Sequence, residues 1–209
     1  MKKILSLILV AVMLLSVLSF TGCGKDDNKL VVYTEAGFAP YEFIYNNEIV
    51  GVDIEIMKKV ADKLGVELVV EDVNFDSITG AVKGGKADAG AAGITITPER
   101  AEEVDFSVPY SSTEQYVIVK ADNNEITNME TMAGKKIGVQ QGTTSDFLVA
   151  GLISDNTLAG TTLTPYDAPS LAAAALGTKI DAVVTDKLTA EVIVASSNGA
   201  YKTFKLVKA

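Results

Sequence analysis

The sequence contains no histidine and only one cysteine, Cys23. Without histidine the chain cannot form a Ser-His-Asp or Cys-His triad, cannot use imidazole for acid–base catalysis, and lacks a ligand found in most zinc sites. A lone cysteine cannot form a disulfide within the chain. A Walker-type phosphate loop and a GxGxxG dinucleotide fingerprint are also missing. We therefore expect a protein with no catalytic residues, no metal site and no cofactor.

Basic residues are outnumbered in this chain. There are 18 lysines and arginines against 27 aspartates and glutamates, for a formal net charge of −9, and the lysines occur singly or in pairs. An acidic surface repels phosphate backbones, and nucleic-acid binding requires a local basic stripe. The composition therefore predicts that nucleic acid is not a partner.

The first 22 residues have the layout of a secretory signal. Lys2 and Lys3 precede an apolar run over residues 4–18, and small residues follow before Cys23. The run is shorter than the roughly 20 residues needed to span a bilayer. We therefore expect residues 1–22 to be removed; the alternative is an uncleaved anchor helix.

The segment that ends at Cys23 resembles the bacterial lipobox, in which the cysteine is lipidated and becomes the first residue of the mature protein. Two acyl chains hold a protein stably at a membrane, whereas one chain binds only marginally. Residues 23–29 are then a polar tether between lipid and fold. The resemblance implies an extracytoplasmic lipoprotein with its lipid anchor in the cell membrane.

From Leu30 onward, strand-like apolar runs alternate with segments whose apolar residues have helical spacing. This βαβα alternation predicts an α/β fold with a mostly parallel sheet. Glycines at Gly65, Gly84 and Gly177 mark predicted helix ends. We predict strands over 30–33, 66–70, 87–93, 116–120, 136–139 and 180–184, and helices over 54–64, 78–82, 146–152 and 170–176.

Two similar phrases indicate two lobes of similar plan. GKADA at 85–89 and TKIDA at 178–182 each follow a predicted helix and open a predicted strand. The extended segment from Tyr110 to Val119 is the natural crossing between the lobes. In such sheets ligands bind beyond the carboxyl ends of the strands, so the residues that follow each strand are the candidate site.

Arg100 is the only arginine of the sequence. Thr97 followed by Pro98 predicts a helix start, with Thr97 as the N-cap and Thr95 in the turn just before the free amides. Such amides and a guanidinium, which binds a carboxylate through two parallel hydrogen bonds, suit an anion. The alternative is a surface arginine paired with Glu103.

The stretch GITITPER at 93–100, followed by VDFSVPY at 104–110, resembles the signature of bacterial solute-binding proteins of family 3. These proteins serve polar amino-acid ABC importers and include glutamine-, histidine- and arginine-binding proteins. Further motifs match in the same order: FAPYEF at 38–43, GVD at 51–53, FD at 75–76 and QGTT at 141–144.

This resemblance implies a periplasmic-binding-protein-like fold of type II, with two α/β lobes joined by a hinge. We place the first lobe at residues 30–109, the hinge at 110–114 and the second lobe at 115–209. The implied function is to bind a free polar amino acid between the lobes, to close by hinge motion and to deliver the ligand to an ABC permease in the membrane.

The resemblance also implies roles for single residues. Arg100 binds the α-carboxylate of the ligand, and amides and hydroxyls near Thr95 and Thr144 donate further hydrogen bonds to it. Asp186 binds the α-ammonium, together with the Gly93 carbonyl. On its position alone, Asp186 is more typical of a helix N-cap.

Three further residues are implied at the ligand side chain. Phe38 and Phe75 match aromatics that cover it, although without the resemblance both are more typical of a core. Glu35 matches an acidic or polar group that faces the ligand and favours a cationic or amide side chain. Gln140 stands where some glutamine binders carry a ligand-contacting lysine, which weakens an assignment to glutamine.

Two alternatives to an importer's binding protein are an enzyme on the same fold and the sensing domain of a receptor. A dehydratase-like enzyme on the same fold requires a cleft acid, for which Glu35 is the candidate. The sensing domain of a receptor kinase requires a transmembrane helix and a signalling domain.

Members of the family also continue beyond the point matching Ala209 with a return segment, so we expect a fragment with a destabilised first lobe. The alternative is a naturally short form whose first lobe repacks.

Overall fold

The computed structural model describes residues 28–207. The predicted signal, Cys23 and nearly all of the predicted tether lie outside the described residues. Within residues 28–207, no helix has the length and apolar character needed to cross a membrane.

The strands are β1 (Lys29–Thr34), β2 (Gly37–Phe38), β3 (Glu42–Tyr45), β4 (Glu48–Val50), β5 (Glu67–Asp72), β6 (Ala89–Gly90), β7 (Gln115–Lys120), β8 (Lys136–Gln140), β9 (Thr162–Tyr166), β10 (Ala182–Asp186) and β11 (Tyr201–Lys205). The helices are α1 (Val52–Leu64), α2 (Phe75–Lys83), α3 (Pro98–Ala101), α4 (Thr144–Ser154), α5 (Pro169–Ala174) and α6 (Lys187–Ser196), with a 3₁₀ turn at Glu130–Met132.

The first lobe holds β1–β6 and α1–α3. Its main sheet has the order β5-β1-β6, with both pairs parallel, and the hairpins β2-β3-β4 form a small antiparallel sheet. Helix α1 ends at Gly65, whose left-handed backbone lets its amide donate to the last turn of the helix. The predicted helix and its glycine stop are confirmed.

The second lobe holds β7–β11 and α4–α6. Its sheet has the order β11-β7-β10-β8-β9, in which β8, β9 and β10 are parallel and β7 runs antiparallel to both β10 and β11. Alternate residues of β7 enter two apolar clusters, one on each face of the sheet: Val117 and Val119 pack on one side and Ile118 on the other. Helix α4 covers the first cluster, and α5 and α6 cover the second.

The two similar phrases make the same local contact in the two lobes. The Val31 amide of β1 donates to the Asp88 carboxylate at 2.8 Å, and the Asp88 amide donates back to the Val31 carbonyl. Lys136 of β8 and Asp181 form the same reciprocal pair, also at 2.8 Å. The prediction of two α/β lobes of similar plan is confirmed, and the fold is of the periplasmic-binding-protein type II class.

Two predicted strands differ from the observed ones. Of the strand predicted over 87–93, only Ala89–Gly90 pairs with β1, because the chain turns away before Gly93, which has a φ of 55°. Residues 87, 91 and 92 are nonetheless buried as predicted. In the second lobe the strand lies at 182–186 rather than 180–184, so it ends on Asp186 itself.

Residues 105–114 connect the lobes without a helix or a strand. Tyr110 within this connection donates its hydroxyl hydrogen to Asp53 at 2.7 Å, and Ser111 is hydrogen-bonded to the Tyr41 hydroxyl at 2.8 Å. The connection is therefore fastened to the first lobe before it enters β7. The lobe and hinge boundaries given above remain predictions.

Candidate functional site

A cavity lies between the lobes at the carboxyl ends of their strands. Its volume, with the open solvent at its mouth included, is about 340 Å³. Both lobes contribute to the lining: Phe38, Phe75, Ala92, Gly93, Thr95 and Arg100 come from the first, and Gln140, Thr143, Thr144, Ser145, Thr185 and Asp186 from the second. Every predicted ligand-binding residue except Glu35 is therefore in the lining.

Arg100 is held in place by backbone carbonyls of both lobes. Thr97 caps α3 as predicted, since its hydroxyl accepts the Arg100 amide at 3.3 Å. The guanidinium donates to the Thr95 carbonyl at 2.8 Å and across the cleft to the Gly142 carbonyl at 3.1 Å. It also lies 5.3 Å from the centre of the Phe75 ring. A guanidinium has five N–H donors, so this arrangement fixes its plane and leaves donors for a ligand.

The alternative of a surface ion pair with Glu103 does not match these contacts. The Glu103 carboxylate accepts instead from Lys83 at 3.1 Å. Burial lowers the pKa of Arg100, and the charge of Glu99 partly offsets this. A partly desolvated guanidinium bound to neutral carbonyls is suited to a carboxylate ligand.

Asp186 lies at the position of an N-cap but does not cap. It is the residue before α6, yet its side chain makes no capping hydrogen bond. Its carboxylate instead accepts from the Gln115 side-chain amide at 2.5 Å, and Gln115 in turn accepts from the Ser145 hydroxyl at 2.5 Å. Burial raises the pKa of Asp186, which the bond from Gln115 partly offsets. A buried carboxylate with a single donor is a suitable partner for an ammonium group.

The N-terminus of α4 faces the same cavity. Thr143 caps this helix by accepting the Asp146 amide at 3.3 Å, and Thr144 is the first helical residue. Amides in the first turn of a helix have no carbonyl partner within the helix and carry the positive end of its dipole. Together with Arg100 they make one side of the cavity electropositive.

Phe38 combines a core and a cavity role, whereas Phe75 is a half-buried residue of the cavity lining and not the core residue that its type alone predicts. Phe38 is only 9% exposed and stacks on Tyr41 at a centroid distance of 5.8 Å, so it belongs to the core of the first lobe, as its residue type predicts. Its ring also lies against Gly93, where an added Cβ would be 3.2 Å away. The positive φ and this close approach both favour glycine at position 93.

Glu35 lies behind the cavity wall. It is buried, and its carboxylate accepts from the Gln140 side-chain amide at 2.7 Å, while the same amide donates to the Asp167 carbonyl at 2.9 Å. Burial raises the pKa of Glu35 to about 7, the bond from Gln140 lowers it, and the charges of Asp72 and Asp167 raise it. Gln140, which the sequence analysis treated only as a departure, lines the cavity and separates Glu35 from it.

Gln115, Ser145 and Thr185 were missed by sequence reasoning. Gln115 comes opposite Asp186 only because β7 pairs antiparallel with β10, which places the two residues in register. The chain separates them by 71 positions, and no local pattern predicts that register. Ser145 directly precedes the helix predicted over 146–152, and this position gave only a weak signal.

The lobes touch each other across the cleft. The Gln141 side chain donates to Asp76 at 2.7 Å, and a Cβ on Gly142 would lie 2.8 Å from the Asp76 Cβ. With the bonds from Arg100 and Gln140, these contacts join the lobes in an arrangement closed around the cavity.

Comparison with known proteins identifies the family of the chain. A 149-residue match to the arginine-binding extracellular protein ArtP of Bacillus subtilis is 35% identical and covers 68% of this chain and 57% of the relative. A 201-residue match to a probable histidine-binding protein of Campylobacter jejuni is 30% identical and covers 91% of this chain and 76% of the relative. The matched region thus spans between about half and three quarters of these relatives.

A solved structure of an ancestral arginine-binding protein bound to arginine has a TM-score of 0.80 and 38% identity; the match covers 87% of this chain and 81% of that one. The model of the bacterial extracellular solute-binding proteins, family 3, matches residues 30–204. The similar phrases, the two lobes and the cavity between them agree with this match, and the chain belongs to the bacterial extracellular solute-binding proteins of family 3.

Proposed function

We propose that this protein binds a free amino acid with a cationic side chain, of which arginine is the prime candidate, and delivers it to an ABC permease. The observation that carries the proposal is the placement of Arg100 and Asp186, from different lobes, in the lining of one cavity. A zwitterion requires an opposed cation and anion of this kind.

The α-carboxylate of the ligand binds to Arg100 and to the electropositive N-terminus of α4. Thr95 and Thr144 lie on either side of this position and supply further polar groups. Because the guanidinium also donates to the Gly142 carbonyl of the second lobe, the carboxylate binds where the lobes meet. Ligand binding therefore strengthens the contact between the lobes.

The α-ammonium binds to Asp186, with the Gly93 carbonyl as a second acceptor. The bond from Gln115 fixes the orientation of the Asp186 carboxylate. In the closed cleft an ammonium is a stronger partner for this buried group than one neutral amide.

The ligand side chain lies between Phe38 and Phe75 and extends toward Gln140. A cation at that end of the cavity is attracted by Glu35, behind the Gln140 amide, and by the faces of the two rings. The formal net charge of −9 also favours positive ligands. The names of the arginine- and histidine-binding relatives agree with this preference.

The protein acts outside the cytoplasm, held at the membrane by lipid on Cys23. This proposal is supported by the family and by the lipobox-like sequence before Cys23, which lies outside the described residues. Lipid labelling of wild type and Cys23→Ser in bacterial cells tests it: the Ser variant is expected to lose both the label and membrane retention. A Ser variant that keeps both would refute the anchor.

A binding role has more support than the enzyme alternative. The one candidate acid for dehydration, Glu35, is hydrogen-bonded to Gln140 and is not part of the cavity lining. A general acid must reach the leaving group directly or through one water. The charged groups in the lining, Arg100 and Asp186, fit the two ends of a zwitterion instead.

Isothermal titration of the wild-type protein with each of the twenty amino acids tests the proposed ligand class. We expect the tightest binding for arginine and weak or no binding for glutamate and aspartate. Asp186→Asn is expected to lose about 2–5 kcal/mol of binding, whereas the matched control Asp122→Asn, on an exposed turn, keeps wild-type affinity. A flat screen on folded protein, or full affinity in Asp186→Asn, would refute the proposal.

A further inference from the structure

Two acids that the ligand site does not use are buried side by side in the first lobe. Glu42 of β3 is 0% exposed and Asp53 of α1 is 1% exposed, and their carboxyl groups are hydrogen-bonding neighbours. The groups that face Glu42 most closely are acids as well, namely Asp53 and, farther off, Glu35. Tyr41 and Tyr110 are the other titratable groups at this place.

As two carboxylates, this pair would leave three buried oxygens without a donor within residues 28–207: both oxygens of Glu42 and Oδ1 of Asp53. Only Asp53 Oδ2 is satisfied, since it accepts the Gly93 amide and the Tyr110 hydroxyl, each at 2.7 Å. Two buried carboxylates in contact cannot both ionise, because each disfavours the charge of the other.

One proton removes the repulsion between the two acids and gives two of these three oxygens a hydrogen-bond partner. On Glu42 it provides an O–H that donates to Asp53 Oδ1, so that both oxygens of Asp53 then accept hydrogen bonds. Burial raises the pKa of Asp53, but the bonds from Gly93 and Tyr110 favour its ionised form and Glu42 has no such donors among residues 28–207, so the negative charge lies on Asp53. In agreement, burial and the charge of Asp53 raise the pKa of Glu42 to about 11. The two groups titrate as a pair.

Asp53 joins two parts of the molecule that matter for binding. Gly93 lines the ligand cavity and is proposed to offer its carbonyl to the ligand, while Tyr110 belongs to the connection between the lobes. A single carboxylate therefore fixes the orientation of a cavity-lining peptide and fastens the connection to the first lobe. Displacing it would move both.

We propose that Glu42 and Asp53 share one proton and form a positioning pair. This pair holds the Gly93 loop and the Tyr110 segment in the positions that ligand binding requires. The positioning role rests on the proposed function of the cleft. The shared proton does not, and it is measurable without ligand.

Glu42→Gln tests the shared proton, because its amide can donate to Asp53 but does not titrate. A raised pKa stabilises the fold fully below about 4.5 and progressively less as the pH rises toward 11. The folded wild type thus holds one proton that the unfolded chain releases. In urea unfolding from pH 5.5 to 8.5, the ratio of the unfolding constants of wild type and Glu42→Gln should rise about tenfold per pH unit.

A ratio that stays flat with pH would overturn the shared proton. The control Glu48→Gln, at an exposed position of β4, is expected to give a flat ratio. Infrared spectroscopy of the wild type at about pH 9 provides a second readout, since Glu35, with its pKa of about 7, is then ionised, and a protonated Glu42 absorbs apart from the carboxylates. That band should be absent in Glu42→Gln, and its absence from the wild type would contradict the proposal.

Titration with L-arginine tests the positioning role. Asp53→Asn is expected to weaken binding about tenfold or more, because the bonds from Gly93 and Tyr110 lose their charged acceptor. Tyr110→Phe, which removes one bond and no charge, should weaken binding less, and the exposed control Glu48→Gln should keep wild-type affinity. Wild-type affinity in both Asp53→Asn and Tyr110→Phe would refute positioning. No arginine binding by the wild type would refute the proposed ligand, and the unfolding ratio would still decide the shared proton.

Discussion

The two lobes bury different kinds of side chain. In the second lobe an apolar cluster lies on each face of the sheet, with Val117, Ile118 and Val183 all at 0% exposure, and most of the buried polar residues line the ligand cavity. In the first lobe the buried set includes Glu42 and Asp53, which lie outside the cavity lining, beside apolar residues such as Ile54 and Ile78. Packing holds the second lobe together, whereas the first lobe also depends on hydrogen bonds and on the protonation of its acids.

The difference extends to the cleft. The second lobe offers Asp186, whose carboxylate is fixed by Gln115 and by the rigid pairing of β7 with β10. The first lobe offers Gly93 from a loop and Arg100 from the short helix α3, and both are held by hydrogen bonds rather than by a sheet. Changes to polar groups should therefore act most strongly through the first lobe, and changes to apolar volume through the second.

The largest expected effect is the loss of Arg100. Arg100→Ala removes both the proposed carboxylate partner and the bond to the Gly142 carbonyl, so we expect arginine binding to weaken by about 2–5 kcal/mol. Thr144→Val, on the opposite lobe, should cost only about 0.5–1.5 kcal/mol. Isothermal titration measures both, with Lys83→Ala as a control cation away from the cavity. Equal losses of binding in Arg100→Ala and Thr144→Val would contradict the expectation that polar changes act most strongly through the first lobe.

The second prediction concerns pH and Glu35. Its pKa is raised to about 7 by burial, so its stabilisation is complete below about 4.5 and lost as the pH rises through 7. Relative to Glu35→Gln, the free energy of unfolding of the wild type should fall by about 2–3 kcal/mol over that range. Urea unfolding at several pH values measures it. A parallel pH dependence of the two proteins would show that Glu35 is ionised at little cost.

The third prediction compares the loss of unfolding free energy when one buried isoleucine is shortened in each lobe. Ile137 of β8 and Ile54 of α1 are both buried, at 0% and 1% exposure, but only Ile137 belongs to an extended apolar cluster. We expect Ile137→Val to cost about 1–1.5 kcal/mol of unfolding free energy and Ile54→Val about 0.5–1 kcal/mol. Denaturant unfolding measures both, with Leu64→Ala, 63% exposed, as the control. A larger cost for Ile54→Val would reverse the comparison.

The smallest effect is expected at the bond between Asp76 and Gln141. It joins the lobes but is exposed, so Asp76→Ala should weaken arginine binding by only about 0.5 kcal/mol. The matched control is Glu71→Ala, another exposed acid of the first lobe. A loss comparable to that of Arg100→Ala would mean that the lobes depend on this contact to close.

Most of the framework could be predicted from local patterns. The helix that ends at Gly65 and the cap at Thr97 follow from apolar spacing, glycine and proline, which act within a few residues. The strand predicted over 87–93 was too long because a run of small buried residues does not show where pairing stops. The sequence pattern around Glu35 and Gln140 likewise did not indicate that Gln140 would lie between Glu35 and the cavity.

By itself the sequence determined the α/β alternation, the two similar lobes and the candidate Arg100, because each depends on neighbouring residues or on a recurring motif, whereas Asp186 became a candidate only through the resemblance to family 3. The tertiary structure alone decided that Gln115 meets Asp186 and that Glu42 meets Asp53. Gln115 and Asp186 lie 71 positions apart in the chain, and Glu42 and Asp53 lie on different elements, β3 and α1. Burial raises the pKa of both Asp186 and Glu42. Desolvation and strand register depend on the packed molecule, and no local stretch of sequence specifies either one.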